Sequence, residues 1–115
     1  MPLQDWSESM LIAEMNDEPL FSDDFDALAA RLEEAKDSMP DVIVNLKDVS
    51  RLNSSNLAQL LRLRKLVLSR RRRLRICAVG DIVWSVFLMT GLDKLFEFTD
   101  DVATSLASLQ IEQSR

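Results

Sequence analysis

The feature that most constrains the fold is a short apolar segment followed, after a loop, by a polar segment and a leucine-rich helix. Val42–Leu46 has the length and the β-branched content of a buried strand. Asn53–Asn56 then supplies side chains that commonly cap helices. The helix that follows is predicted to turn one apolar face inward, formed by Leu57, Leu60, Leu61 and Leu68. This order places two serine hydroxyls at a helix start just beyond a core strand, where α/β sheets usually bind ligands or carry modifications.

Strands and helices alternate along the rest of the chain. The patterns predict strands over 9–15, 74–79 and 95–98, and helices over 21–37, 55–69, 82–90 and from about 101 onward. Candidate helix ends are Ser22, Asp100 or Asp101, and Gly91. The expected apolar positions outside the central helix include Phe25, Leu28, Leu32, Trp84, Phe87, Leu88, Phe96 and Phe98. Such alternation predicts an α/β fold with a mostly parallel sheet and about four α-helices.

Size and composition predict one domain over residues 1–115, with residues 1–8 loosely ordered. The 115 residues are 47% hydrophobic and 29% charged, which suits a single core. The apolar runs are too short to span a bilayer, so we expect no membrane insertion. The first residues lack the pattern of a signal peptide, and the single Cys77 has no partner. We therefore expect a cytoplasmic protein with a reduced, buried thiol.

Several enzyme classes are disfavoured by residues that the chain lacks. It has no histidine and only two glycines, which removes histidine-based catalysis and glycine-rich phosphate loops. We therefore expect no enzyme activity, no cofactor and no metal site. The remaining enzyme hypothesis is a hydrolase in which Ser54 is the nucleophile and Lys47 the base, but the glycines of a nucleophile elbow are missing.

Charge is distributed unevenly along the chain. Residues 1–50 carry 13 acids and 3 bases, whereas residues 51–80 carry nine bases and no acid. The basic block includes Arg62, Arg64 and Lys65 in the predicted helix and residues 70–73 after it. It is interpreted either as a solvated helix face or as a docking face for an acidic partner. Direct nucleic-acid binding is not expected, because no aromatic residues are interleaved with the arginines.

The order of these motifs resembles the STAS family of bacterial anti-sigma factor antagonists. Asn45-Leu46 stands where that family has Asp-Leu at the end of a strand. Asn53-Ser54-Ser55-Asn56-Leu57 stands where it has Asp-Ser-Ser-Gly-Leu, and Thr90-Gly91-Leu92 resembles its later Thr-Gly-Leu. The likeness runs from about residue 41 to the C-terminus and implies a single-domain STAS-like fold in which the opening strand, 9–15, pairs antiparallel at an edge of the sheet.

The resemblance also implies a function. A family member of this kind binds a kinase-type anti-sigma factor, a serine kinase that phosphorylates it and thereby ends the interaction. The implied phosphoacceptor is Ser54, with Ser55 as second choice. The implied partner-binding residues are Asn53, Ser54, Ser55, Asn56, Leu57, Arg62 and Lys65.

Other interpretations stay open at this stage. Asn53 and Asn56 replace the family's Asp and Gly, which favours a protein that keeps docking and loses the switch. Such a protein would be a scaffold in a signalling complex or an accessory subunit of a lipid-transport ABC ATPase. The two serines alone are also compatible with a simple capping role, and the sequence leaves a homodimer open.

Overall fold

One five-stranded sheet organises the protein, whose computed structural model describes residues 3–114. The strands and helices, numbered in chain order, are β1 (Leu3–Ser7), β2 (Met10–Asn16), α1 (Leu20–Ala35), β3 (Asp41–Asp48), α2 (Ser54–Ser69), β4 (Leu74–Cys77), α3 (Asp81–Thr90), β5 (Phe98–Thr99) and α4 (Val102–Gln113). Short 3₁₀ turns cover Lys36–Ser38 and Leu92–Lys94.

The sheet has the predicted mixed and mostly parallel topology. Its order is β1-β2-β3-β4-β5; β1 pairs antiparallel with β2, and the other neighbours pair in parallel. Together with the four α-helices, this confirms the predicted α/β class. The carboxyl ends of β2 to β5 therefore lie at one edge of the sheet, where the loops that lead into the four helices meet.

Helices cover the two faces of the sheet unequally. Helices α1, α2 and α3 pack against one face, where Phe25, Leu63 and Phe87 join strand residues in the larger core cluster. Among the described elements, helix α4 covers the other face, where Leu109 packs with Ile43 and Cys77. Burial raises the pKa of the Cys77 thiol, as expected for a thiol kept from solvent.

The predicted inward face of α2 was partly wrong. Leu60 is buried as expected, but Leu61 is 36% exposed and Leu68 is 47% exposed. Leu63 and Val67 take the inward positions instead. Leucines occur all round this helix, so their spacing alone does not identify the side that meets the sheet.

A predicted helix cap and a predicted strand were also wrong. Ser22 does not cap α1, which begins at Leu20; its hydroxyl donates to Glu18 inside the first turn. The segment predicted as a strand over 95–98 becomes extended only at Phe98, because the preceding 3₁₀ turn continues to Leu95. Asp101 is the cap of α4, and Gly91 ends α3 in the left-handed conformation, as predicted.

The predicted aromatic core was correct in part. Phe87 and Phe96 are buried, whereas Trp84 is 36% exposed and Leu88 is 51% exposed. Trp84 covers the edge of the half-buried Phe98, with the ring centroids 5.0 Å apart. The outward side of α3 therefore exposes apolar side chains that the sequence analysis had assigned to the core.

The chain before residue 10 contains an element that was not predicted. β1 is an exposed edge strand, and Trp6 within it is 49% exposed. The prediction that the strand over 9–15 lies at an edge was therefore wrong, because β2 lies between β1 and β3 and is antiparallel only to β1. Loose order over residues 1–8 stays a prediction, and residues 1, 2 and 115 of the single expected domain lie outside the described part.

Candidate functional site

The two serines lie on the surface at the start of α2. β3 ends at Asp48, a short loop follows, and Ser54 is the first residue of the helix. Ser54 and Ser55 are both exposed. The predicted strand, loop and helix start are thus all present, with the hydroxyls facing outward.

Asparagines, rather than the serines, cap α2. Asn53 is extended, and its Oδ1 accepts a hydrogen bond of 2.8 Å from the backbone N–H of Asn56. Asn56 reciprocates, because its Oδ1 accepts a hydrogen bond of 3.1 Å from the backbone N–H of Asn53. Within residues 3–114, the hydroxyls of Ser54 and Ser55 make no hydrogen bond. The interpretation of the serines as simple caps is therefore wrong, and both hydroxyls are available for other contacts.

Two unsatisfied donors also lie at this helix start. The first N–H groups of a helix have no partner inside it, and here the two asparagines satisfy one another. The backbone N–H groups of Ser54 and Ser55 donate to no protein group in the described part of the chain. They form, with the positive end of the helix dipole, an environment that favours an anion.

Asn56 lies beneath this surface. It is 2% exposed, and its Nδ2 donates to Glu18 Oε2 at 3.1 Å and to Gln59 Oε1 at 3.3 Å. Its side chain thus points away from the position where a partner would approach. Of the predicted partner-binding residues, Asn56 supports the site from inside, and Leu57 is half-buried against the core.

Two acidic residues that the sequence analysis missed anchor the site. Glu18 accepts from the Ser22 hydroxyl at 2.6 Å and from the Ser22 N–H at 2.8 Å, and these bonds lower the pKa of Glu18. Asp17 accepts from the Ser50 hydroxyl at 2.6 Å and from its N–H at 2.9 Å, which lowers the pKa of Asp17. Asp17 thus ties the loop after β2 to the loop after β3, and Glu18 ties it to the start of α1 and, through Asn56, to α2. Their position directly after the predicted strand 9–15 was the available signal, but that strand was expected to pair antiparallel at an edge, whereas β2 pairs in parallel with β3.

A small cavity lies beside the serines. Its volume is about 130 Å³, and it is lined by Glu18, Arg51, Leu52, Asn53 and Asn56. Its size and mixed lining suit one inserted side chain of a protein better than a cofactor. Among residues 3–114, no group of three metal-binding side chains comes together.

The basic block separates into exposed and internal positions. Arg62 and Lys65 are exposed on α2, and the Arg62 guanidinium lies 5.5 Å from the ring centroid of Phe25. Arg64 instead donates from Nε to the carbonyl of Leu95 at 2.8 Å. At the other end of the sheet, Arg72 Nε lies 3.1 Å from Asp41 Oδ1, so part of the predicted docking face is internal structure.

Lys47, the base in the hydrolase hypothesis, is exposed at the end of β3. The described residues show no hydrogen bond from Lys47 to either serine. None of the helices over residues 3–114 combines the length and apolar character needed to cross a bilayer.

Comparison with known proteins decides the family. The model of the STAS domain matches residues 10–105. The chain belongs to the STAS domain family. The match begins about 30 residues before the likeness seen in the sequence, so β2 and α1 belong to this STAS domain as well.

Solved structures share the fold at low sequence identity. An anti-sigma-factor antagonist (STAS) domain protein from Planctomyces limnophilus superposes with a TM-score of 0.79 at 15% identity, covering 94% of this chain and 97% of that one. A serine-to-glutamate variant of Moorella thermoacetica RsbS gives 0.79 at 11% identity, covering both chains completely. The phosphorylated form of the Bacillus cell fate determinant SpoIIAA gives 0.67 at 15% identity, covering 98% and 97%. No curated protein sequence matches the chain.

Proposed function

We propose that this STAS protein is a regulatory binding module that docks a kinase-type anti-sigma factor through the start of α2. The observation that carries the proposal is the exposed serine pair, whose hydroxyls are not needed to cap α2 because Asn53 and Asn56 cap it. Resemblance to anti-sigma factor antagonists supports the class of partner. The docking surface consists of Asn53, Ser54, Ser55, Arg62 and Lys65, with Asn56 and Leu57 beneath it.

The proposed switch is phosphorylation of Ser54 by that kinase. A phosphate adds nearly two negative charges and three acceptor oxygens. At this position it meets the two free N–H groups and a helix start whose first turn contains no acidic residue. The same charge would lie in the middle of the docking surface and oppose binding.

The protein acts by binding and not by catalysis in this proposal. It needs no cofactor or metal, contacts no nucleic acid directly, and meets its partner in the cytoplasm. The positive charges of Arg62 and Lys65 would accelerate encounter with an acidic surface more than they would add affinity.

Intact mass and binding measurements test the proposal. Incubation with an anti-sigma kinase from the same genome and ATP should add one phosphate to the wild type and to Ser55→Ala, but none to Ser54→Ala. Ser54→Asp should weaken binding of the kinase, whereas Ser54→Ala should preserve it. Absence of binding by the wild type contradicts docking; binding without any mass gain contradicts only the switch.

A second function is favoured by one observation. The cap of α2 is closed by Asn53 and Asn56, and Glu18 holds Asn56 in place, so this helix start is rigid where the family pattern has a glycine. A rigid docking site suits a non-switching scaffold or an accessory subunit of a signalling complex or lipid-transport ABC ATPase. A partner retained equally by wild type and Ser54→Asp would favour this second function.

A further inference from the structure

We propose that a second copy of this chain binds across the face formed by α1 and α2, giving a two-fold dimer held by opposite charges. This interaction goes beyond docking of a kinase and needs no partner of another sequence. The outward side of α1 is acidic and the outward side of α2 is basic, so one face carries both halves of a complementary pair.

Four acids on α1 and four bases on or just after α2 form no ion pair within residues 3–114, although the Arg70 guanidinium donates a hydrogen bond to the Lys36 carbonyl at 3.1 Å. Asp23, Asp26, Glu33 and Glu34 are exposed on α1. Positive charges are exposed on α2 or just after it, at Arg62, Lys65, Arg70 and Arg71. Among the ion pairs of residues 3–114, none uses any of these eight side chains. Arg62 even lies over an aromatic ring while the acids of the neighbouring helix remain unpaired.

The direction of the helices makes a two-fold arrangement geometrically possible. β2 and β3 are parallel, so the crossover helices α1 and α2 also run parallel to each other. A two-fold axis along the seam between them places α1 of one copy on α2 of the other and keeps the helices parallel. The interface is then isologous, and each α1–α2 contact occurs twice.

Contacts within one chain fix which residues would meet. Gln59 Nε2 donates to Ser22 Oγ at 3.2 Å, and Arg62 lies over Phe25. In both pairs the α2 residue is 37 positions after the α1 residue. Rotation about an axis along the helices preserves these levels, so residue n of α1 meets residue n+37 of α2 in the second copy.

This register sets opposite charges against each other. Asp26 falls between Arg62 and Lys65 of the second copy. Opposite charges also meet at the end of α1, because Glu33 and Glu34 fall at the level of Arg70 and Arg71 of the second copy.

Small and large apolar side chains match in the same register. Ala30 is exposed on α1 and falls beside Leu68, which is 47% exposed. Ala27, also exposed, falls between Leu61 and Leu68. The two leucines that face solvent against the predicted pattern would thus be covered in the dimer.

The expected dimer is weak and sensitive to salt. Two helices of 16 residues form a face about 24 Å long and about 20 Å wide, so the two copies would bury roughly 1,000 Å² in total. This is the low end for a specific interface. Raising salt from about 0.05 M to about 1 M shortens the screening length to about 3 Å and should dissociate it.

Charge reversal in sedimentation velocity tests the dimer. Wild type should show a concentration-dependent dimer in low salt. Lys65→Glu and Asp26→Lys should each raise the dissociation constant about tenfold or more, because every reversed charge acts twice in a two-fold interface. Lys94→Glu, an exposed reversal in the 3₁₀ turn after α3, is the matched control and should leave the dimer unchanged.

Mixing the two weakened variants gives the decisive measurement. In a heterodimer of Lys65→Glu with Asp26→Lys, both charge pairs become attractive again, so mixing should restore association to near the wild-type level. Circular dichroism establishes that each variant is folded. A wild-type chain that stays monomeric at about 1 mM in low salt, a control as weakened as Lys65→Glu, or a mixture that stays dissociated overturns the proposal.

Discussion

At the scale of single residues, the serines at the start of α2 depend on a buried neighbour, Asn56, which is 2% exposed. Asn56 joins the cap of α2 to the loop after β2 through hydrogen bonds to Asn53 and Glu18. A buried amide of this kind is costly to leave without partners. Structural and recognition roles are thus divided between adjacent residues, which allows them to be separated by mutation.

Replacement of Asn56 should therefore reduce stability, while replacement of Ser54 should not. Asn56→Ala removes the reciprocal cap bond and leaves the Asn53 N–H and Glu18 without this partner, so we expect a loss of about 1–3 kcal/mol. Ser54→Ala removes an exposed hydroxyl without hydrogen bonds, and the expected change is within about 0.5 kcal/mol. Urea unfolding measures both. A loss in Ser54→Ala as large as that in Asn56→Ala would contradict the division of roles.

Sequence alone located the serines but not their support. The order Asn-Ser-Ser-Asn after an apolar run was enough to predict a helix start at the edge of the sheet. It did not reveal that Asn56 turns inward, because its partner Glu18 is 38 residues earlier in the chain. A contact of that separation depends on the pairing of β2 with β3, which no local pattern of residues reports.

At the scale of the helices, α3 ends in a conformation that favours glycine. Gly91 has φ of 76°, in the left-handed region, whereas Gly80 before α3 has φ of −74°. A side chain at Gly91 would meet no atom within 4 Å, so the cost of a substitution there comes from the backbone.

The two glycines should accordingly respond differently to alanine. Gly91→Ala is expected to destabilise the protein by about 1 kcal/mol. Gly80→Ala also has open space around the new methyl group, and its restriction of the unfolded chain opposes the poorer capping of α3 by alanine, so the expected change is within about 0.5 kcal/mol. Thermal and urea unfolding of the pair compare them directly. Equal effects at both positions would contradict a backbone origin.

Carboxylates at helix starts make stability depend on pH. The Ser22 hydroxyl lowers the pKa of Glu18, and the Thr104 N–H lowers the pKa of Asp101, the cap of α4. Because these pKa values are lower in the folded state, the unfolded state binds protons more readily in acid. Their stabilisation is present near neutral pH and is lost as pH falls below about 4. Burial raises the pKa of Asp24, so that residue acts in the opposite direction.

Neutral replacements should flatten this dependence. In a Glu18→Gln, Asp101→Asn double variant, the unfolding free energy should fall less steeply between about pH 6 and about pH 3 than in the wild type. Glu97→Gln removes an exposed carboxylate that lies outside both proposed interfaces and accepts no hydrogen bond within residues 3–114, and it serves as the matched control. A double variant with the slope of the wild type would contradict the assignment.

Helix positions were easier to predict than helix faces. The bounds of α2 and α3 were correct to within one residue, because their caps and their periodicity are local properties. The exposed Leu61, Leu68 and Leu88 were assigned to the core, because most positions of these helices are apolar and only contact with the sheet selects the inward ones. The proposed dimer covers Leu61 and Leu68, which helix packing within one chain leaves exposed, whereas Leu88 on α3 lies outside that interface.

At the scale of the whole molecule, a buried charge cluster lies at the end of the sheet opposite the serines. Asp41, at the start of β3, is 0% exposed. Its Oδ1 accepts a hydrogen bond of 2.8 Å from the backbone N–H of Arg73, and its Oδ2 accepts one of 2.8 Å from Gln113 Nε2. It thereby joins β3, the basic connection before β4 and the end of α4. These arginines were interpreted from the sequence only as part of a solvated face or of a docking face.

Loss of the Asp41 carboxylate should destabilise the whole domain without altering the docking site. Asp41→Ala leaves the Arg72 guanidinium without its buried counter-ion and the Arg73 N–H and Gln113 amide without this acceptor, and the expected loss is about 3–5 kcal/mol. Glu112→Ala also removes an acid that pairs with arginines, but one that is 36% exposed, so its expected loss is about 1 kcal/mol or less. Chemical unfolding gives both values. Because Asp41 lies at the amino end of β3 and Ser54 beyond its carboxyl end, the folded fraction of Asp41→Ala should still bind a kinase with wild-type affinity. Reduced affinity of that folded fraction would show that the two ends of the sheet are coupled, which contradicts the separation of the stabilising cluster from the recognition surface.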